Sequence, residues 1–109
     1  MDALTWLQAW YLSRCDGEWE HSKGVRIDTL DNPGWSVEVD IGAAPTPAPI
    51  EEERSRHDWI KCEIRHGRFY GYGGPANLQE VLGVLRRWVE QSHPRALRTS
   101  SVPPPRRRF

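Results

Sequence analysis

The sequence predicts a two-layer α+β fold: a four-stranded antiparallel meander with an N-terminal and a C-terminal helix on one face. Two stretches carry apolar residues at the three- and four-residue spacing of a helix, and four stretches between them alternate apolar and polar residues. Each alternating stretch offers one apolar face. The simplest packing buries all four faces beneath both helices on one side of the sheet.

The first predicted element is a helix from Asp2 to Arg14, which Asp2 can cap through its side chain. Gly17 can adopt the left-handed conformation that ends a helix, and residues 18–24 are expected to form a polar connection. The apolar residues at helical spacing are Leu4, Leu7, Trp10 and Tyr11, with Trp6 beside them.

The second predicted element is an antiparallel hairpin of two half-buried strands, Val25 to Leu30 and Trp35 to Ile41. The segment Asn32-Pro33-Gly34-Trp35 between them favours a type II turn. Proline fixes φ at its second position, and glycine accepts the positive φ of its third position.

Residues 42–53 contain three prolines and end in Glu51-Glu52-Glu53, so the sequence predicts an exposed loop there. The third strand is predicted from Asp58 to Arg65 and the fourth from Arg68 to Tyr72, with His66-Gly67 as the turn. The third strand places Ile60, Cys62 and Ile64 on one face, so Cys62 is expected to be a buried structural thiol.

Asn77 is predicted to cap the last helix, with Glu80 as its capping-box partner. Pro94 should stop this helix near His93, and residues 93–109 are predicted to be a disordered Pro/Arg-rich tail. The helix carries one apolar stripe, formed by Leu78, Val81, Leu82, Leu85, Trp88 and Val89.

The formal net charge of zero hides an uneven distribution along the chain. The tail holds five arginines, so residues 1–92 carry 15 acidic and 10 basic side chains, a net charge of −5. An acidic body suits a basic partner and argues against nucleic acid as the main ligand, although the tail arginines could bind it weakly. The sequence has neither a signal-peptide pattern nor an apolar run of membrane-spanning length, which predicts a cytoplasmic protein with reduced thiols and no membrane partner.

The densest cluster of chemically active side chains falls within the six residues 16–21. One hypothesis is a binding loop that meets a basic protein surface. Its contact residues would be Asp16, Glu18, Trp19, Glu20 and His21.

Two other interpretations of this cluster stay open. The segment can be a solvated loop whose Trp19 packs into the core. It can also be a metal site, in which case the protein would be a small metal-dependent hydrolase using Asp16, Glu20 and His21.

A second polar cluster, residues 54–59, adds Arg54 and Asp58 to the predicted partner-binding residues. There, Arg54 or Arg56 is expected to pair with Asp58 or with an acid of the first cluster. No nucleophile stands beside a base in the sequence, so we predict a non-enzyme with no catalytic residue, bound metal or cofactor.

Four segments taken together resemble the immunity protein 53 family over roughly residues 4–90. The resemblance implies a bacterial antitoxin that binds and neutralises a cognate toxin of a polymorphic toxin system, with residues 1–92 as a single immunity-type domain. The acidic body fits a basic toxin such as a nuclease. The segments that carry the resemblance are Trp6-Leu7-Gln8-Ala9-Trp10-Tyr11 with Cys15 to His21, Thr29 to Trp35, Glu53-Arg54-Ser55 with Asp58-Trp59-Ile60 and Cys62, and Gly73 to Leu78 with Glu80.

Overall fold

The computed structural model describes residues 2–42 and 46–92, so the tail predicted over residues 93–109 lies outside the described part of the chain. Three helices and five strands form an α+β fold. In chain order they are α1 (Ala3–Arg14), α2 (Trp19–Ser22), β1 (Val25–Leu30), β2 (Gly34–Asp40), β3 (Ile50–Ser55), β4 (Asp58–Arg65), β5 (Arg68–Gly73) and α3 (Leu78–Ser92).

The five strands form one antiparallel sheet in the order β1-β2-β5-β4-β3. The predicted four-stranded meander is therefore wrong in two respects: the sheet has a fifth strand, and its last strand lies in the middle. Gly71 of β5 is level with Val37 of β2 on one side and with Cys62 of β4 on the other. Strand β5 thus joins two hairpins that are distant in sequence.

The additional strand, β3, begins within the predicted loop of residues 42–53 and continues to Ser55. It is an edge strand that pairs with β4, from Ile50 opposite Cys62 to Ser55 opposite Asp58. Ile50 is half-buried, and every residue from Glu51 to Ser55 is exposed. Because this edge strand buries only part of Ile50, it lacks the apolar alternation by which strands are recognised in a sequence.

The core lies between the sheet and α3, and α1 packs against α3. The ring of Phe69, which is fully buried, meets the ring of Trp88 edge-on with 5.8 Å between their centroids. Burying one such side chain stabilises the fold by roughly 1.5–3 kcal/mol. Core side chains come from α1, from every strand except the two edges, and from α3: Ala3, Trp6, Leu7, Val37, Val39, Ile60, Cys62, Ile64, Phe69, Val81, Leu82, Val84, Leu85, Trp88 and Val89, with Ile41 just past β2.

Helix α1 begins as predicted, with the Asp2 side chain accepting a hydrogen bond from Thr5 N at 2.8 Å. Its buried face differs from the predicted stripe: Trp6 and Leu7 are buried, whereas Leu4 is 52 % exposed and Tyr11 is 40 % exposed. Apolar residues surround much of this helix, so their spacing alone cannot decide which side turns inward.

Two turns show the different uses of glycine. The β1–β2 turn occupies residues 31–33, and Gly34 is already the first residue of β2, opposite Leu30, without the predicted positive φ. A Cβ atom on Gly34 would collide with the carbonyl oxygen of Gly73 in the neighbouring strand. The predicted β4–β5 turn is confirmed, with His66 at φ 53° and Gly67 at φ 76°, as in a two-residue type I′ hairpin.

Among the described residues, no helix combines the length and the apolar character that crossing a membrane requires.

Candidate functional site

The predicted binding loop, residues 16–21, folds through reciprocal hydrogen bonds between its own residues. Oδ1 of Asp16 accepts from the backbone N–H groups of Glu18 and Trp19, each at 2.9 Å. The two carboxylate oxygens of Glu20 accept from the backbone N–H groups of Asp16 and Gly17, at 2.9 and 2.8 Å. These bonds lead the chain into the short helix α2, where the sequence predicted only a polar connection.

The same hydrogen bonds favour the charged forms of both carboxyl groups. The N–H groups of Trp19 and Glu18 lower the pKa of Asp16. The pKa of Glu20 is lowered by backbone N–H groups, first its own and then those of Asp16 and Gly17. Both side chains therefore carry a fixed negative charge at neutral pH.

Trp19 is 7 % exposed and packs among aromatic side chains of α1. Its ring lies edge-on to Trp10 at 5.7 Å and tilted to Tyr11 at 5.9 Å, with the Arg14 guanidinium 5.8 Å from its centroid. Its Nε1 atom is buried without a hydrogen-bond partner in residues 2–42 and 46–92. Trp19 thus anchors the loop onto α1, and the indole face is not available to a partner.

The surface of the loop is formed by its charged and polar side chains. Asp16, Glu18 and His21 are exposed, and Glu20 is half-buried. The loop presents a small acidic surface near the end of the sheet where β1 begins, because only three residues separate it from Val25.

The second predicted cluster is organised around Arg54, which contacts three carboxylates. Its Nη1 lies 2.7 Å from Oε1 of Glu52, and its Nη2 lies 2.9 Å from Oδ1 of Asp58 and 2.6 Å from Oε1 of Glu80. Hydrogen bonds from Arg54, followed by one from Asn77, lower the pKa of Asp58. The predicted Arg54–Asp58 pair is therefore confirmed, and the network extends to α3.

Asn77 completes this network from a buried position, with 6 % of its surface exposed. Its Nδ2 donates to Asp58 at 2.9 Å and to Glu80 at 3.1 Å, and its Oδ1 accepts from Trp59 N at 3.3 Å. The predicted capping box is therefore wrong in its details, because the Asn77 side chain bonds to β4 and to the Glu80 side chain. The network fixes the β3–β4 hairpin to the start of α3.

The structure does not bring the two predicted clusters together. Val25 follows the first cluster. The register across β1, β2, β5 and β4 places it at the same height along the strands as Ile64. Asp58 lies six residues before Ile64, or about 20 Å along the strand, and three strand spacings of about 4.8 Å separate β1 from β4. One small contact area cannot include both clusters.

A surface groove that the sequence did not predict lies beside the second cluster, with a volume of about 490 Å³. Trp59 forms part of its wall, and Glu51 and Glu53 of the edge strand line it together with His57 and Lys61. The run of three glutamates was recognised in the sequence but was assigned to a loop. Its pairing with β4, which places Glu51 opposite Lys61 and Glu53 opposite Trp59, was therefore not predicted.

The geometry of the described residues gives little support to the alternative hypothesis of a metal-dependent hydrolase. Among the described residues, no group of three or more His, Cys, Asp or Glu side chains is arranged to hold a metal ion. Oδ1 of Asp16 and both carboxylate oxygens of Glu20 are already engaged by backbone N–H groups. Cys62 is buried as predicted, and burial raises the pKa of its thiol to about 12, which makes it a poor nucleophile.

No curated protein and no solved structure matches the chain. The family model described as immunity protein 53 matches residues 4–90 of the 109. The matched region contains β1 to β5, both polar clusters and most of α3. This chain therefore belongs to the immunity protein 53 family.

Proposed function

We propose that this protein binds a cognate bacterial toxin in the cytoplasm and neutralises it by occupying the toxin's surface. Membership of the immunity protein 53 family over residues 4–90 carries this proposal, since that family implies an immunity protein. Neutralisation by binding requires a shaped, charged surface and no catalytic constellation.

The acidic loop of residues 16–21 is the proposed centre of the contact surface. Its hydrogen bonds hold the loop in one conformation before binding, so little conformational entropy is lost when a partner docks. Glu18 and His21 point their side chains to solvent beside the fixed charges of Asp16 and Glu20. Trp19 contributes by holding the loop on α1, because its ring is buried.

The second cluster has a supporting role in this proposal. Arg54 and Asp58 keep the β3–β4 hairpin against α3, which positions the exposed Glu51 and Glu53 beside Trp59. A large toxin that reaches across the sheet would contact this groove as well as the loop. Arg54 and Asp58 would then form the edge of the second contact area.

The proposed partner is a basic protein, such as a cationic nuclease. Residues 1–92 carry a net charge of −5, and the exposed carboxylates of the loop and of β3 add local negative potential. Such charge accelerates association with a basic surface more than it raises the final affinity.

The experiment uses the toxin encoded beside this gene, co-expressed with the protein in a growth assay and titrated against it by calorimetry. We expect growth to be restored by the wild-type protein. Glu18→Lys should weaken binding by about tenfold or more at low salt, because its side chain faces solvent and makes no hydrogen bond in the loop.

The matched control is Glu63→Lys, the same charge change on the sheet face turned away from the helices. We expect its affinity to stay close to that of the wild type. Equal affinity of Glu18→Lys and wild type would reject the loop as the contact surface. Failure of the wild type to bind or to protect would reject the proposed function itself.

A further inference from the structure

Strand β1 leaves one edge of the sheet open. It pairs with β2 along all six residues, and no strand in the described part of the chain pairs with its outer edge. The four residues from Arg26 to Thr29 are exposed, and Ile27 is a large apolar side chain with 37 % of its surface accessible. An open edge presents unpaired N–H and C=O groups to any strand that can approach it.

The opposite edge strand, β3, has two features that disfavour pairing with the β3 strand of a second copy. Its register with β4 shifts between Glu53 and Ser55, and such an irregularity bends the strand. Antiparallel pairing of two β3 strands about Glu52 would place the carboxylates of Glu51 and Glu53 against each other. Like charges directly opposite each other destabilise a strand pair.

The sequence of β1 has the reverse property, because its charges change sign about its centre. Arg26 precedes Ile27 and Asp28 follows it, and both charged side chains lie on the sheet face away from the helices. Further out, Lys23 and Asp31 stand at equal distances from Ile27 with the same change of sign.

An antiparallel pair of β1 strands related by a two-fold axis at Ile27 satisfies all of these charges at once. Arg26 of each copy lies opposite Asp28 of the other, and the two Ile27 side chains meet on the helix side. Moving the axis to Arg26 or to Asp28 would place two like charges opposite each other. Of these three registers, the charge pattern favours the one centred on Ile27.

We propose that two copies of this chain associate through β1 in the register centred on Ile27, forming one continuous sheet across both copies. This association requires no toxin. A six-residue edge is a small interface, so the dimer is expected to dissociate at concentrations on the order of micromolar to tens of micromolar.

The experiment is sedimentation analysis of the full-length protein over protein concentrations of about 5 to 500 µM, at low salt. The wild type should shift from monomer to dimer. Arg26→Asp places acid opposite acid and Asp28→Arg places base opposite base, so each variant alone should stay monomeric. An equimolar mixture of the two should form a heterodimer, because every charged pair is then complementary.

The control variant is Glu53→Arg, a charge reversal on the β3 edge, which should leave dimerisation unchanged. Thermal melts monitored by circular dichroism verify that each variant is folded. Hydrogen exchange of the wild type needs no variant: amides within residues 25–30 should gain protection as the protein concentration rises. A monomer at all concentrations, a dimer indifferent to both charge changes, or a mixture that stays monomeric would each overturn the proposal.

Discussion

Nη2 of Arg54 lies 2.6 Å from Oε1 of Glu80, joining the edge strand β3 to the first turn of α3 across 26 positions of sequence. Arg54, Asp58 and Glu80 are exposed enough for water to weaken each ion pair, so the pairs define geometry more than they stabilise the fold. Asn77 beneath them is buried, and its hydrogen bonds are shielded from water.

Asn77→Ala should therefore lower the free energy of unfolding by about 1–3 kcal/mol, because it removes a buried amide that three groups contact. Urea titration measures this loss. Asn32→Ala, on the exposed β1–β2 turn, is the control and should change stability by less than about 0.5 kcal/mol. Equal effects of the two variants would contradict a structural role for the network.

The two thiols should differ sharply in reactivity. Cys62 is fully buried with its pKa raised to about 12, whereas Cys15 is half-buried beside the loop. In the native protein at pH 8, one equivalent of a disulfide reagent should react readily, and the second should react at the rate of unfolding. Cys62→Ser identifies the slow thiol, since it should remove the slow phase and keep the fast one. Rapid reaction of both thiols in the folded protein would show that the sheet interior opens easily.

His66→Asn should stabilise the protein. His66 adopts φ 53° at the first position of the β4–β5 turn, and asparagine tolerates this left-handed conformation better than histidine does. We expect a gain of roughly 0.5 kcal/mol in the free energy of unfolding, measured by urea titration. His57→Asn serves as the control, because the backbone of His57 has no positive φ. A gain of the same size at His57 would mean that the turn conformation is not its cause.

Stability should fall in acid. The folded state lowers the pKa of Asp2, Asp16, Glu20 and Asp58, in each case through hydrogen bonds to the carboxylate. Lowered values mean that the stabilisation is complete above the unfolded pKa, and that it is lost as pH falls through the folded values. Urea midpoints should therefore be nearly constant between pH 7 and about pH 5 and decrease below about pH 4.

Asp16→Asn tests the origin of this acid dependence, since its amide oxygen can still accept from Glu18 and Trp19 but does not titrate. We expect the variant to lose less stability in acid than the wild type loses. Asp31→Asn, whose carboxylate accepts no hydrogen bond from the described residues, should follow the wild-type curve. An acid slope unaffected by Asp16→Asn would remove the loop as a contributor.

The strands that line the core could be predicted from the sequence because both their pattern and their burial are local. Ile60, Cys62 and Ile64 alternate with polar residues and are all buried. The position of β5 could not be predicted, because strand order depends on contacts between distant segments. Gly71 reflects that position, because a Cβ there would lie 2.6 Å from the Phe69 ring and from Val81 of α3. The sequence alone does not explain this glycine, since the requirement comes from the packed helix.

The sequence could predict which residues belong to the candidate site, but not which way their side chains face. The concentration of acids in residues 16–21 identified the loop, and the Arg54–Asp58 pair followed from proximity in sequence. The burial of Trp19 depends on the neighbouring residues Trp10 and Tyr11 lying on the side of α1 that faces the loop. Since α1 is apolar on more than one side, no local pattern indicates that orientation.

The central place of β5 has a consequence for synthesis on the ribosome. Strand β2 is synthesised early, but β5, which pairs with its inner edge, ends only at Gly73. Helix α3, which covers both strands, is synthesised after that. The β1–β2 hairpin of the nascent chain therefore lacks its neighbouring strand and its covering helix until nearly all of residues 4–90 have been translated. Premature termination anywhere before α3 should therefore yield a chain that cannot complete its core.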